Sequence, residues 1–314
     1  MALCFVQAIF DSMQRKRSWR SYWLVRICLP LICLLMAKAH GHNIPVVKLS
    51  CTSSDAFPAV PDPNSVGEVS NWLRAVAHLS QRVTVTTIGR SSHGREILAV
   101  VIQGRSEASS VVPTVAIICR QHGDEPAPTL AALELILDVA GNTTQKKGDL
   151  LRQMRFVIIP IASPDGATAK HRYIQSGKNP NRDWGIFRLP ETRCLETYLR
   201  KVRPDVLLDC HELLPGDYES HPYIECGRES TKLARRILQE ERKDGCPIEL
   251  GHTATNCPPT LLYRYFSNVY HKPGVMLESA LVGDDRLEDR ARFHRAAAWG
   301  AAQFVVQQAH LARH

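Results

Sequence analysis

Two residues that lie close together in the chain have side chains that could bind a metal ion. His122 and Glu125 are three positions apart in the stretch TVAIICRQHGDEPAP, residues 114–128. An imidazole nitrogen and a carboxylate oxygen are both common zinc ligands, and at this spacing both could face one ion. The pattern alone is weak, because a chain with 13 histidines is expected to contain it about once by chance.

A second pair with the same spacing is formed by His93 and Glu96, in the turn sequence GRSSHGRE. The surroundings favour the pair at His122. Its histidine follows an apolar run typical of a buried strand and precedes a predicted helix, and open α/β sheets bind ligands at the carboxyl ends of their strands. His93 lies in a Gly/Ser-rich turn between two predicted strands. We therefore predict that His122 and Glu125 are the metal ligands.

A third ligand is predicted at His211, which follows an apolar strand over residues 205–210. This strand brings a second histidine to the same edge of the predicted sheet. His122, Glu125 and His211 then form a set that leaves a fourth zinc position open, as in catalytic sites. We expect one Zn²⁺ per chain. Asp209 shares a strand face with His211 and could orient its imidazole, although an edge carboxylate without a metal role is an equal alternative.

Three further residues could act on a substrate near this edge. Arg182 lies in the loop HRYIQSGKNPNRDWG, residues 171–185, and could hold a carboxylate through two parallel hydrogen bonds. Arg172 in the same loop could stabilise an oxyanion. A short apolar strand over residues 274–277 ends in Glu278, whose carboxylate could accept a proton from an attacking water. On composition alone, a surface position without a functional role is the favoured interpretation of both arginines.

The elements that must position these residues alternate between strands and helices. Apolar runs predict strands over 83–88, 97–103, 115–119, 156–161, 205–210 and 274–277, and helical spacing predicts helices over 72–79, 126–139, 191–202 and 286–312. The first two strands predict a hairpin, and the sequence Ser163-Pro164-Asp165-Gly166 predicts a turn. The alternation predicts an α/β fold, a single-domain α/β/α sandwich around a mixed, largely parallel sheet.

The first 39 residues predict a signal peptide for export. A basic segment precedes the apolar run 27–36 and the sequence Ala37-Lys38-Ala39, which is typical of a cleavage site. At about ten residues the run is too short to span a bilayer, so contact with a membrane is expected only during export. An uncleaved anchor is the alternative. Residues 40–65 are then a lead-in segment, and residues 66–314 the catalytic domain.

Charge and cysteine content limit the partners and the compartment. Removal of the signal peptide takes away six basic residues and one acidic residue, so the net charge falls from +8 to +3. No basic run or aromatic-interleaved basic patch follows residue 40, and no nucleic-acid partner is expected. Seven of ten cysteines remain, an odd number for an oxidising compartment. Cys246 and Cys257 are the candidate disulfide, whereas Cys119 and Cys210 are predicted to pack in the core.

Taken together, the motifs resemble those of the carboxypeptidase A-like zinc carboxypeptidases. The resemblance runs from about residue 72 to residue 302, in the order GRSSHGRE, HGDE, SPDG, HRY, NPNRD, DCHE and LES. Each motif alone is loose, but the order of the motifs and their placement at strand ends make the resemblance specific. The resemblance implies zinc on His122, Glu125 and His211, Glu278 as the catalytic base, Arg172 polarising the scissile carbonyl, and Asn181 and Arg182 holding the terminal carboxylate of the substrate.

Two positions depart from the family pattern. Asp124 stands just before the glutamate ligand, where pancreatic-type members carry an arginine, so substrate contacts there should differ. The mobile tyrosine of the family has no clear match, because Asn256 stands where some members place it. Tyr263 is the candidate substrate-binding tyrosine, with Tyr265 and Tyr270 nearby and a packing role as the alternative for all three.

These observations predict an exported zinc metallocarboxypeptidase, periplasmic or secreted, that hydrolyses the C-terminal amide bond of peptides with a free C-terminal carboxylate. Cell-wall peptides are candidate substrates. One alternative is a zinc-dependent deacylase of N-acyl amino acids, similar to aspartoacylase and succinylglutamate desuccinylase. Those enzymes add a β-rich C-terminal domain, whereas 36 residues follow Glu278 here. A non-catalytic binding module on the same scaffold is the other alternative, and the presence of all three ligands and the base argues against it.

Overall fold

The computed structural model describes residues 57–103, 112–141, 144–174, 177–213, 221–243, 245, 249–250, 257–280 and 286–312. All of these belong to one compact unit, residues 52–314. The predicted signal peptide and residues 40–56 of the lead-in lie outside the described residues, so both remain predictions. No helix within the described ranges is long and apolar enough to cross a lipid bilayer.

Eight strands in the described part of the chain form one sheet, in the order β1-β2-β4-β3-β5-β8-β6-β7. Their bounds are Val83–Arg90 (β1), Glu96–Gln103 (β2), Thr114–Cys119 (β3), Arg155–Ile159 (β4), Val206–Leu213 (β5), Tyr223–Cys226 (β6), Glu249–Leu250 (β7) and Gly274–Ala280 (β8). The central strands β4, β3, β5 and β8 are parallel. The pairs β1–β2, β2–β4 and β6–β8 are antiparallel. The predicted hairpin and the mixed, largely parallel sheet are therefore confirmed.

Helices cover both faces of this sheet. Their bounds are Val66–Leu79 (α1), Ala127–Ala140 (α2), Gln145–Gln153 (α3), Pro164–Ala169 (α4), Pro190–Val202 (α5), Thr231–Lys243 (α6), Leu262–Tyr270 (α7) and Leu287–Leu311 (α8). Apolar side chains of α1, α2, α6 and α8 pack on one face, and those of α5 and α7 pack on the other. This arrangement is the predicted α/β/α sandwich.

Strand β3 shows why the central strands read as continuous apolar runs. Every residue of β3 is buried. Val115 and Ile117 point into the layer of α1, α2 and α8, whereas Ala116 and Ile118 point into the layer of α5 and α7. Successive residues of a strand point to opposite faces, so a strand covered on both faces needs apolar side chains at successive positions. Cys119 continues the first of these layers, as does Cys210 on β5, so the predicted core role of both thiols is confirmed.

Two local predictions are wrong. The segment from Ser163 to Gly166 is not an isolated turn but opens α4, with Pro164 at the first helical position, where its missing N–H is tolerated. Strands β5 and β8 also run further than predicted, because their ladder continues through the pair His211–Glu278 to the ends of both strands. His211 and Glu278 thus lie within the last residues of their strands rather than after them.

Candidate metal centre

The predicted metal ligands lie together at the carboxyl ends of β3 and β5. Nδ1 of His122 is 2.6 Å from Oε1 of Glu125, and Nδ1 of His211 is 2.8 Å from Oε2 of the same carboxylate. One donor atom from each residue lies within 4.8 Å of the others, and all three side chains are buried. Among the residues that the structure describes, they are the one group of this kind.

The second nitrogen of each imidazole contacts a side-chain oxygen. Nε2 of His122 lies 2.9 Å from Oδ1 of Asn179, and Nε2 of His211 lies 3.0 Å from Oδ1 of Asp209. An oxygen acceptor at Nε2 favours a proton there, so Nδ1 offers a lone pair to a metal once the proton it shares with Glu125 is released. At His211 the donor Nδ2 of Asn181 also lies 2.8 Å from Nε2. Both Nδ1 atoms face Glu125, so this donor set fits a zinc ion held by two histidines and one carboxylate. The contact predicted between Asp209 and His211 is present.

Glu125 is an ionised carboxylate despite its complete burial. Burial alone would raise its pKa, but the charges and hydrogen bonds of His122 and His211 hold the pKa of Glu125 below its usual range. Nη1 of Arg172 lies 3.1 Å from Oε1 of the same carboxylate. A negative charge fixed at this point offsets part of the charge of a divalent cation.

A buried chain of hydrogen bonds holds Asp209 in place. Nε1 of Trp184 donates to Oε1 of Gln121 at 2.8 Å, and Nε2 of Gln121 donates to Oδ1 of Asp209 at 2.6 Å. All three side chains are at most 1% exposed. The sequence analysis missed Gln121 and Trp184. The position of Gln121 directly before His122 was the one local signal.

The turn that carries His122 depends on Arg120 and Gly123. Arg120 has a left-handed φ of 57° and is fully buried. Its guanidinium donates to the carbonyl of Gly123 at 2.9 Å and to that of Pro63 at 2.6 Å. A Cβ on Gly123 would lie 1.9 Å from the carbonyl carbon of Gly166. The HGDE and SPDG motifs are therefore held in direct backbone contact.

The alternative pair, His93 and Glu96, has other partners. Nδ1 of His93 lies 2.8 Å from Oδ2 of Asp165 in α4, and Glu96 forms an ion pair of 2.8 Å with Arg74. Asp165 also accepts hydrogen bonds from Ser91 and from the backbone N–H of His93. The GRSSHGRE motif is thus a turn tied to the SPDG segment.

Glu278 lies next to the metal ligands on the neighbouring strand. β5 and β8 pair His211 with Glu278 in register, and the glutamate is 8% exposed. Burial raises the pKa of Glu278 to about 8, a shift that His211 and Arg172 oppose and Glu125 reinforces. A carboxyl group with a pKa near neutrality can both accept and release a proton at physiological pH.

Asn181 and Arg182 lie in a short 3₁₀ helix, Pro180–Arg182. Nδ2 of the buried Asn181 is 2.8 Å from Nε2 of His211, and its Oδ1 accepts a hydrogen bond from the backbone N–H of Leu262 at 2.9 Å. Arg182 is exposed, and its Nη1 donates to the carbonyl of Asn181. The predicted carboxylate-binding pair is therefore located beside the metal centre and at the start of α7.

The three candidate tyrosines all have hydroxyl groups bonded to glutamates. The hydroxyl of the fully buried Tyr263 donates to Oε1 of Glu225. The hydroxyls of Tyr265 and Tyr270 contact Glu196 at 2.7 and 3.1 Å. The substrate contact of Tyr263 stays a prediction.

The structure describes some of the other residues singled out in the sequence, namely Asp124 and Cys257. The side chain of Asp124 is half-buried, and burial raises its pKa. Cys257 is a free thiol, and its Sγ donates to Glu225 at 2.8 Å. Its candidate disulfide partner Cys246 lies outside the described residues, as does Asn256.

Comparison with known proteins agrees with this geometry. Residues 69–202 match a family model described as zinc carboxypeptidase. This matched part of the chain, which holds His122, Glu125, Arg172, Asn181 and Arg182, is similar to zinc carboxypeptidases. Over 96 residues it is 34% identical to carboxypeptidase 2 of Trichophyton rubrum and 33% identical to a probable carboxypeptidase 2 of Arthroderma benhamiae. Each match covers 30% of this chain but 18% of the relative, so the relatives are much longer than the matched part.

Solved structures share the fold over most of the chain. A metallo-carboxypeptidase from Burkholderia cenocepacia superposes with a TM-score of 0.66 at 19% identity, covering 77% of this chain and 69% of that one. Thrombin activatable fibrinolysis inhibitor superposes with a TM-score of 0.68 at 14% identity, covering 82% of this chain and 79% of that one. At these identities the likeness establishes the α/β fold.

Proposed function

We propose that the protein is an exported zinc metallocarboxypeptidase that removes the C-terminal residue of peptides. The observation that carries the proposal is a juxtaposition at one sheet edge. Two histidines and a glutamate, each with a donor atom within 4.8 Å of the others, lie beside the buried carboxyl group of Glu278 and near the exposed Arg182. This set combines a metal centre, a proton carrier and a carboxylate anchor.

Zinc bound by His122, Glu125 and His211 would supply a Lewis acid that activates water and polarises a carbonyl group. The protein's own residues do the rest. Glu278 accepts the proton of the attacking water and passes it to the leaving amine, a role suited to a carboxyl group whose pKa is about 8. The guanidinium of Arg172, 35% exposed, stabilises the negative charge that develops on the carbonyl oxygen.

Arg182 and Asn181 confer the requirement for a chain end. Within the described residues the Arg182 side chain makes one hydrogen bond, from Nη1 to the carbonyl of Asn181. Its remaining N–H groups are available to a substrate carboxylate, which a guanidinium can bind through two parallel hydrogen bonds. A peptide whose last carboxylate is held there places its terminal amide bond at the metal centre.

Export and the class of peptide are further parts of the proposal. The basic segment, apolar run and Ala37-Lys38-Ala39 sequence of the first 39 residues support cleavage near Ala39 and a periplasmic or secreted location. Cell-wall peptides are then among the substrates the enzyme would meet, beside ordinary peptides.

A pair of matched substrates tests the activity. The zinc-loaded protein should hydrolyse N-acylated dipeptides with a free C-terminal carboxylate and leave their C-terminal amides intact. Arg182→Lys should lower kcat/KM several-fold or more, because the charge is kept but the bidentate geometry is lost. Arg203→Lys, an exposed arginine at the opposite end of β5, is the control and should have no effect. Equal turnover of free and amidated peptides would reject the proposal.

A further inference from the structure

A buried carboxyl group lies directly next to the metal ligand His211 and has no part in the mechanism above. Glu212 is the next residue on β5 and is 1% exposed. Successive side chains of a strand point to opposite faces of the sheet, so Glu212 points away from the metal centre. A carboxyl group is costly to bury without partners. The contacts of Glu212 therefore indicate what it does.

Glu212 joins β5 to two helices through its two oxygens. Oε2 accepts a hydrogen bond from the backbone N–H of Ala127 at 2.9 Å, and Oε1 accepts one from Nε of Arg290. Ala127 is the first residue of α2, and Arg290 lies in the first turn of α8. The Arg290 side chain is 12% exposed, so this contact is largely shielded from water. Charge-assisted hydrogen bonds are stronger than neutral ones and hold their partners in a defined geometry.

The bond to Ala127 connects the two segments that supply the metal ligands. Glu125 and His211 are 86 residues apart in the chain, and Oε2 of Glu125 lies 2.8 Å from Nδ1 of His211. Ala127 follows Glu125 by two residues, and Glu212 follows His211 directly. The hydrogen bond between Glu212 and Ala127 is thus a second connection between the same two segments. It fixes the separation of the two ligands from outside the metal centre.

The loop that carries His122 and Glu125 is held at both of its ends. At its start, the guanidinium of Arg120 donates to two backbone carbonyls. At its end, Glu212 accepts from the first N–H of α2, a group that every helix leaves without a partner of its own. The N-cap residue of α2 is a proline, whose side chain offers no acceptor. Glu212 supplies that acceptor from another strand.

α8 supports Glu212 from the side away from the metal centre. This helix is 25 residues long and packs in the core. His294 lies one turn after Arg290, and its Nε2 is 3.1 Å from Oγ of Ser279. Glu212 and Ser279 are paired in register on β5 and β8. Residues four apart on a helix share a face, so Arg290 and His294 hold the ends of both strands together.

We infer that Glu212 is a positioning residue that holds Glu125 and His211 at the separation a zinc ion requires. Residues that support the ligands of a metal site orient them and so raise its affinity for the metal. The inference rests on the metal centre of the proposed function but not on peptide hydrolysis. Loss of the carboxylate should therefore weaken zinc binding even when the protein stays folded.

Two simpler roles for Glu212 compete with this one, namely support of the fold alone and attraction of zinc by negative charge alone. Glu212→Gln tests the first, because its NH₂ group would face either the N–H of Ala127 or Nε of Arg290 and lose that hydrogen bond. Arg290→Met tests the second, because removal of a positive charge would tighten zinc binding if charge alone mattered. Glu191→Gln is the control, since Glu191 is also a buried glutamate that accepts a backbone N–H, that of Ser92 at 3.1 Å.

The Kd for zinc is measured by competition with a chromophoric chelator, and the Tm of each zinc-free protein is measured in excess chelator. Glu212→Gln should raise the Kd by about 10- to 100-fold. Arg290→Met should raise it too, because the carboxylate loses its support on α8. Glu191→Gln should keep the Kd within about twofold even where its Tm falls, as expected of a distant site. A lower Tm with a wild-type Kd in Glu212→Gln, or unchanged or tighter zinc binding in Arg290→Met, would overturn the inference.

Two further results keep the inference separate from stability and from the proposed function. Should Glu212→Gln fail to fold, Arg290→Met decides the matter, with a raised Kd supporting the inference and an unchanged or lower Kd overturning it. If the wild-type protein binds zinc but hydrolyses no peptide, the proposed activity fails, whereas a raised Kd in Glu212→Gln still supports the role of Glu212. A wild-type protein that binds no zinc would overturn both the metal centre and the role given to Glu212.

Discussion

Glu278 is the residue whose substitution best separates catalysis from metal binding. Glu278→Gln keeps the size of the side chain and most of its hydrogen-bonding capacity but removes the group that carries the proton. Hydrolysis should fall by about 10²- to 10⁴-fold, the usual contribution of a general base. Zinc content and affinity for a carboxylate-bearing inhibitor should persist. Steady-state kinetics, zinc analysis and inhibitor titration check the three expectations.

The alternative outcomes for Glu278 are distinct. A glutamate without a catalytic role would change the rate by less than about twofold, as surface substitutions usually have small effects. Loss of zinc from the variant would make Glu278 a ligand or a structural support. The mechanism would then need another base, and Asp124 and Glu212 are the nearest acidic candidates by motif.

The metal ligands can be tested against the second histidine–glutamate pair. His122→Ala and His211→Ala should each abolish stable zinc binding, because each removes one of three protein ligands. His93→Ala is the matched control and should keep the metal, since His93 contacts Asp165 in α4. Zinc content after dialysis is the measurement. Retention of zinc by His122→Ala together with its loss from His93→Ala would show that the wrong motif was chosen.

At the scale of elements, the close contact between the HGDE loop and α4 fixes where His122 lies. A methyl group on Gly123 would lie 1.9 Å from the carbonyl carbon of Gly166, so one backbone segment must move. Gly123→Ala should therefore lower the free energy of unfolding by about 1–3 kcal/mol or more, as overpacking does. It should also weaken zinc binding, because His122 is the preceding residue.

Gly67→Ala is the control for this substitution. Gly67 lies in the first turn of α1, and a Cβ there would meet no atom within 4 Å. Since alanine is the better helix former, this variant should be neutral or more stable by up to about 1 kcal/mol. Chemical denaturation and zinc titration of both variants provide the comparison. A Gly123→Ala protein with wild-type stability and zinc affinity would show that the contact is not tight.

How much of this site could be predicted depends on the element that supplies each residue. β3 is largely apolar and β5 opens with an apolar run, Val206 to Leu208, so both strands and the histidines near their ends follow from the sequence. Trp184 and Gln121 are 63 residues apart, and their hydrogen bond is set by tertiary packing. Glu225 lies on a strand of four residues, too short for a clear alternating pattern. Such contacts become visible only when the strand register is known.

Residues 163–166 show a second reason why prediction from the sequence fails. Ser-Pro-Asp-Gly is a turn sequence by composition, yet Pro164 at a first helical position is equally compatible with a helix. The contacts of Asp165 with Ser91 and His93 decide between them. These partners lie more than 70 residues earlier in the chain, so the local sequence cannot decide between a turn and a helix at residues 163–166.

For the whole molecule, we expect the sheet to supply most of the stability and bound zinc to add to it. The core is covered by helices on both faces, and the ligands come from the ends of two central strands. The protein should therefore remain folded when zinc is removed, unlike small zinc modules that unfold without metal. Chelation should lower the Tm instead, because a ligand that binds only the native state stabilises it by mass action.

The size of this shift follows from the affinity. Free zinc at 1,000 times its Kd contributes about 4 kcal/mol. For a domain of this size 1 kcal/mol moves Tm by about 2–4 °C, so chelation should lower Tm by about 8–16 °C at that concentration. Added zinc should restore the original value. His211→Ala is the control, and its Tm should not respond to chelator or zinc. Complete unfolding of the wild-type protein by chelator at room temperature would instead make the metal a structural requirement of the sheet.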